Sequence, residues 1–366
     1  MAAKGLQNIV IGTTNLSLVE GEKGELVFRG YEIQDLAQHA TFEQVAYLLW
    51  YGRKPSDAEA HKLRDKMAAQ RSLDPTTLNI LRTLPPTTEP MDALRTGVSA
   101  LGAGTSGTNI DLEHALALTA QVASIIAVFQ RLRHGAEIIS PRSDLDHASN
   151  YVYMITGKEP TAAQQTMINA YFVLLADHGM NASTFTARVI TSTGSDLYSA
   201  VTGALGALKG PLHGGAPSKV MDMLDAVGSP DNAEAWIRGA LARKERLMGF
   251  GHRVYKTTDP RAEILREIAR KYSDPKLFRL AQTVEEKGLQ ILHEAKPDQR
   301  LYTNVEFYSA TVMNAVGLPR DLFTPTFAAS RTAGWTAHIL EQAADNRLIR
   351  PDVEYVGPMG LSWNET

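Results

Sequence analysis

Three of the ten histidines sit where chemistry could be done: His178 in Ala176-Asp-His-Gly-Met-Asn181, His213 in Pro211-Leu-His-Gly-Gly215 and His252 in Gly249-Phe-Gly-His-Arg-Val-Tyr-Lys256. A neutral imidazole can donate, accept or ligate near neutral pH. Each lies at a break in helical text beside glycine. Glycine lets backbone or ligand approach closely, and a helix end leaves unpaired amides or carbonyls that can orient a ring. Helix capping explains one such histidine easily and all three together poorly. The other seven read as ordinary: His39, His61, His114, His147 and His293 as partly exposed surface or cap residues, His134 beside Arg131 and Arg133, and His338 as a satisfied core residue. The three are 35 and 39 residues apart with no H-E-x-x-H or H-x-x-x-H, so no preformed helical metal site is expected. Their assembly around zinc from a distance stays an alternative, and the absence of G-x-S-x-G argues against a serine hydrolase of the α/β type.

Arginines add a second pattern. In Asp259-Pro260-Arg261, Asp259 suits an N-cap and Pro260 the first helical position, which places Arg261 in the first turn. A cation there opposes the helix dipole by ~0.3–1 kcal/mol when exposed, so a bound anion between guanidinium and helix end would account for it. Arg331, among the small residues of Ala328-Ala-Ser-Arg-Thr-Ala-Gly-Trp335, needs a partner for a poorly solvated charge. Arg350 precedes Pro351. Surface ion pairs explain any one of them; the three together suggest recognition of a small polycarboxylate.

The elements that must position these residues are mostly helices. Thr41-Phe-Glu-Gln reads as a capping box, and Ser56-Asp57, Asn109 to Asp111, Thr161, Asn232 and Asp259-Pro260 precede apolar residues at i, i+3, i+4 spacing. Only the start differs: Asn8-Ile-Val-Ile-Gly-Thr-Thr14 and Gly24-Glu-Leu-Val-Phe-Arg29 flank a Glu-Gly-Glu-Lys-Gly turn and predict one small hairpin. The expected fold is all-α. Gly102-Ala-Gly-Thr-Ser-Gly107 matches a dinucleotide fingerprint but follows helical text, and no phosphate-binding G-x-x-x-x-G-K-[ST] occurs. Breaks at Gly210–Pro217 and from Gly317 onward predict two domains, 1–215 with 312–366, and a smaller 216–311.

Composition bounds the chemistry. The 366 residues include no cysteine, which removes disulfides, thiolate nucleophiles, zinc–thiolate sites and iron–sulfur ligation. With 37 Lys+Arg against 40 Asp+Glu the net charge is −3, which speaks against a nucleic-acid or membrane coat. Ala115 to Phe129 is apolar but short and interrupted, a buried helix rather than a span. The start lacks signal-peptide character and reads as cytoplasmic.

Long blocks in order make the chain resemble the citrate synthases, most of all the short dimeric bacterial and archaeal form: Gly24–Tyr31, Phe42–Leu49, Asp177–Thr184, Lys209–Ala216, Met248–Arg261 and Phe323-Thr-Pro through Arg331. The resemblance implies an acyltransferase that condenses acetyl-CoA with oxaloacetate and hydrolyses citryl-CoA, with no metal or other cofactor. It implies that His213 hydrogen-bonds the thioester oxygen, that His252 polarises the ketone of oxaloacetate, and that His178, Arg261, Arg331 and Arg350 bind oxaloacetate, Arg350 from across a homodimer interface. Arg253 and Lys256 become partners for coenzyme A phosphates. The lack of an added amino-terminal segment speaks, by the same resemblance, against the larger NADH-regulated hexamers. The family's base is an aspartate in Asn-Val-Asp, whereas this chain has Asn304-Val-Glu306. Glu306 is the expected base, although a misplacement of ~1 Å can cost ~100-fold in rate. 2-Methylcitrate synthase, which uses propionyl-CoA, is the near alternative, since one methylene is worth only ~1–3 kcal/mol of discrimination. A non-catalytic polycarboxylate binder is a remote one.

Overall fold

Side-chain caps open most helices of the computed structural model, which describes residues 4–6, 9–214 and 216–362. Met1 to Ala3, Gln7, Asn8, Gly215 and 363–366 lie outside the described residues, and with them the first residue of the expected first strand and the glycine at the expected domain boundary. The first ten of sixteen α-helices among the described residues are α1 (Ile33–His39), α2 (Phe42–Tyr51), α3 (Asp57–Ala69), α4 (Pro75–Thr83), α5 (Pro90–Ala103), α6 (Leu112–Arg133), α7 (His147–Thr156), α8 (Ala162–Leu175), α9 (Ala182–Ser192) and α10 (Leu197–Lys209). Thr41, Ser56 and Thr161 form capping boxes with Gln44, Glu59 and Gln164, each satisfying two amides at a helix start. Asp111 caps α6 as expected, whereas Asn232 makes no side-chain cap bond.

The remaining helices are α11 (Ala216–Val227), α12 (Ala233–Ala242), α13 (Pro260–Tyr272), α14 (Pro275–Ala295), α15 (Val305–Val316) and α16 (Phe323–Ala344). Helix α16 is buried almost continuously from Phe323 to Ile339 and packs on α2, α6, α8, α9 and α10. Helix α6 is the buried apolar helix expected from Ala115 to Phe129. Within 216–316, α12 packs on α14, and both α11 and α13 on α15; α13 and α15 also pack on α8.

The sheet differs from expectation. It has three antiparallel strands, β1 (Ser17–Glu20), β2 (Glu25–Phe28) and β3 (Tyr31–Glu32), with Ser17 opposite Phe28 and Glu20 opposite Glu25. The turn lies where predicted, closed by Gly24 N–H to Glu20 O at 3.0 Å, but β1 is not the β-branched run upstream. A tight turn pairs the residues that directly abut it, so 17–20 are recruited, while Ile9, Val10 and Ile11 stay exposed.

Two histidine readings also meet the structure. His338 is core, with Nδ1 3.0 Å from Arg188 Nη1 and Nε2 3.3 Å from Asp177 Oδ1. His147 is not a surface residue: it is buried, stacks on Phe42 at 5.3 Å, and neither ring nitrogen has a partner among the described residues. Its backbone amide donates to buried Glu43 at 2.7 Å, which draws the start of α7 under α2. Gly102 lies inside α5 against Tyr198, which disposes of the dinucleotide pattern.

Candidate active site

The site is built at breaks between helices. Between α8 and α9, Asp177 accepts hydrogen bonds from Ser17 Oγ and from Gly179 N–H at 3.1 Å. Burial alone would raise Asp177, but His338, Arg331 and Ser17 outweigh it and hold the carboxyl below its usual range. Helix α16 comes so close that Gly334 N–H donates to Ala176 O at 3.0 Å, and a Cβ on Gly334 would lie 2.3 Å from that oxygen. This fixes His178, which is buried, with Nε2 3.1 Å from the Tyr255 hydroxyl and its ring 5.5 Å from that of His252. Burial first, then Arg261, push its pKa well below 6.5. The ring is neutral.

His252 lies in the loop between α12 and α13. Its Nδ1 accepts from Val254 N–H at 3.1 Å and Tyr255 N–H at 3.0 Å, which leaves Nε2 to carry the hydrogen. Burial and Arg261 lower it to about 4, so the ring is a neutral N–H donor at working pH. The loop is stitched to the start of α15: Asn304 N–H donates to Gly249 O at 2.9 Å, Gly251 N–H to Tyr302 O at 2.7 Å and Asn304 Nδ2 to Gly251 O at 2.8 Å. Asn304 also caps α15 by accepting from Glu306 N–H at 3.1 Å. Glu306 therefore sits in the first turn of α15, tied to the His252 loop. It keeps some solvent contact, but burial among protein atoms pushes it up to about 7, against the pull of Arg261 and Arg331.

His213 lies in the turn after α10, its amide bonded to Gly210 O at 2.9 Å. Its Nε2 is 2.9 Å from Ser183 Oγ, which accepts from Trp335 Nε1 at 3.1 Å and donates to Asn181 Oδ1 at 2.8 Å. Burial, then Arg331, lower it to about 4.

The buried guanidiniums differ. Arg261 pairs with Asp259, Nε to Oδ1 at 3.0 Å and Nη2 to Oδ2 at 2.8 Å, so the N-cap carboxylate of α13 is a counter-ion for the buried guanidinium. One carboxylate thus both caps α13 and neutralises the arginine. Arg331 donates from Nε to Leu175 O at 2.6 Å and faces the Phe327 ring, while Nη2 has no partner among the described residues. Burial lowers it to about 10, so it stays charged and open to an anion.

Three predicted residues are not brought into this cluster. Arg350 is exposed beyond α16, 3.3 Å from Asp352. Arg253 is exposed with Nη2 3.2 Å from Gly5 O, and half-buried Lys256 reaches only Arg253 O at 3.3 Å. A separate cavity of about 450 Å³ between α13 and α14, lined by Thr258, Arg266, Glu285 and Tyr302 among others, contains none of the three histidines. Among the described residues, no three His, Asp or Glu side chains are grouped as a metal requires. Sequence reasoning missed Ser183, Tyr255 and Asp259 as partners, although all lie within blocks it had singled out.

Fold and site together define a class: an all-α protein in which neutral imidazoles, a carboxylate raised by burial and buried guanidiniums are gathered at breaks between helices. The family model for the citrate synthase C-terminal domain matches residues 5–352. The citrate synthase of Haloferax volcanii is 43% identical over 98% of this chain and 97% of its own length. A 2-methylcitrate synthase of Mycobacterium tuberculosis is 41% identical over 97% and 90%. The structure of a citrate synthase from Thermoplasma acidophilum, in ternary complex with carboxymethyl coenzyme A and oxaloacetate, superposes with a TM-score of 0.93 at 32% identity over 99% and 98% of the two chains. This chain belongs to the citrate synthase family, and it is an enzyme of the acyl-transferring condensation type.

Proposed function

We propose that the enzyme condenses acetyl-CoA with oxaloacetate and hydrolyses the citryl-CoA formed to citrate and free coenzyme A. The carrying observation is the fixed tautomer of His252, a neutral Nε2–H donor within a cluster that also holds Arg331 with an unpaired Nη2. Glu306 takes a proton from the thioester methyl as His213 donates to the thioester oxygen, where negative charge develops. The carbon so formed attacks the ketone of oxaloacetate, whose oxygen His252 holds and protonates. Water then cleaves the thioester, and coenzyme A leaves as the thiol. His178, Arg261 and Arg331 hold the carboxylates of oxaloacetate, Arg350 reaches in from a second copy of the chain, and Arg253 and Lys256 meet the coenzyme A phosphates. The segment 216–311 closes on oxaloacetate before the thioester is activated, which keeps water from wasting it. No metal or further cofactor is needed, because imidazoles, carboxylate and guanidiniums divide the work.

Thiol release that requires both acetyl-CoA and oxaloacetate tests this reading, and its absence refutes it while favouring a binder. The 2-methylcitrate synthase among the relatives supports a second reading in which propionyl-CoA is the acyl donor. The larger kcat/KM of the two thioesters decides.

A further inference from the structure

The geometry points to Tyr255 as a positioning residue that holds two histidines at once, His252 through its backbone amide and His178 through its hydroxyl. The amide nitrogen is 3.0 Å from His252 Nδ1 and the hydroxyl 3.1 Å from His178 Nε2. Between these ends, the phenol ring lies 4.8 Å from the His252 ring and 5.5 Å from the His178 ring, centroid to centroid. The side chain is 2% exposed. The loop that carries it is pinned from outside: Lys256 N–H donates to Gly21 O at 2.9 Å, and a Cβ on Gly21 would fall 2.3 Å from Val254 O. The backbone on either side of Tyr255 is thereby held against the turn at Gly21.

The tautomer of His252 follows from its two amide donors. Burial raises the phenol well above 10, so its hydrogen is always available. The two backbone amides on Nδ1 put the proton of His252 on Nε2, and the Tyr255 hydroxyl is the partner of His178 Nε2. One residue thus makes a polar contact to each of two neighbouring rings.

The two holds are separable because only one is a side-chain bond. Resting on the proposed role of His178 in oxaloacetate binding, the inference is tested with Tyr255→Phe, His178→Gln and the double variant, by steady-state kinetics and by calorimetric titration with oxaloacetate alone. Tyr255→Phe leaves the amide in place and is expected to raise the oxaloacetate KM about tenfold, with a fall in kcat below threefold, because a buried ring nitrogen loses its partner. In the His178→Gln background the same change should move KM less than twofold. An unchanged or lowered KM overturns the inference. So does an equal rise in both backgrounds or a fall confined to kcat, the pattern of general loosening. A wild-type enzyme that neither binds oxaloacetate nor turns over would instead refute the functional reading itself.

Discussion

Glu306 is lifted to about 7, and a base must be ionised to take a proton, so kcat/KM should rise with pH to a plateau above about 7 and fall tenfold per unit below it. Glu306→Gln should remove that dependence together with about 10²–10⁴ of the rate; retention of most of the turnover would sink the assignment. The stability sign runs the other way. The folded carboxyl binds its proton more tightly than the unfolded one, so Glu306 destabilises the fold increasingly as pH rises from 4.5 to about 7. Thermal unfolding at pH 8 should therefore show Glu306→Gln above wild type by roughly 2–5 °C, with no difference near pH 4. His147, driven to about 3 by burial and Arg71, contributes the opposite slope, its penalty growing as pH falls below 6.5. His147→Phe should flatten that acid loss, read as a smaller drop in Tm between pH 7 and pH 5. The placement of residues was legible where glycine marked a break, as at His178, His213 and His252. Placement was not legible where it depends on a distant partner: nothing near His147 in the sequence announces Glu43.

Two backbone devices set the site's precision. Asn304 caps α15 with one end of its amide and holds Gly251 O with the other, so Asn304→Ala should cost about 1 kcal/mol in stability and, by loosening Glu306 against the His252 loop, lower kcat by more than tenfold. If the cap acts through Glu306, Asn304→Ala should lower kcat no further in a Glu306→Ala background, whereas an undiminished further fall would overturn that reading. Gly334→Ala puts a methyl 2.3 Å from Ala176 O and 2.6 Å from Asp177 Oδ1, so it should cost about 1–3 kcal/mol by denaturant unfolding and raise the oxaloacetate KM through the displaced His178. Helix starts were read well because capping is local chemistry within four residues. The first strand was misread because pairing is decided by the turn it abuts, and β-branched text further upstream has no such anchor.

At the scale of the assembled molecule, the proposal that Arg350 crosses between two copies makes a sharp prediction. His213→Ala and Arg350→Ala homodimers should each be impaired, yet mixed and re-equilibrated they should regain activity, because one of the two hybrid sites then has both residues. No gain on mixing places Arg350 elsewhere. Closure predicts a smaller radius of gyration by X-ray scattering when oxaloacetate alone is added. Long-range assembly was the part least legible in the sequence, since sequence spacing does not reveal which breaks meet. The turn at Glu20–Gly24 is a case in point. It packs against Val254, which a ribosome adds roughly 230 residues later, about 10–50 s at ordinary elongation rates. For that interval the hairpin waits without the surface that orders the His252 loop, and Arg331 of α16 is later still. On the proposed assignment of Arg331, a nascent chain turns over no substrate until α16 has emerged and folded, so activity would report folding of the whole site rather than of either part.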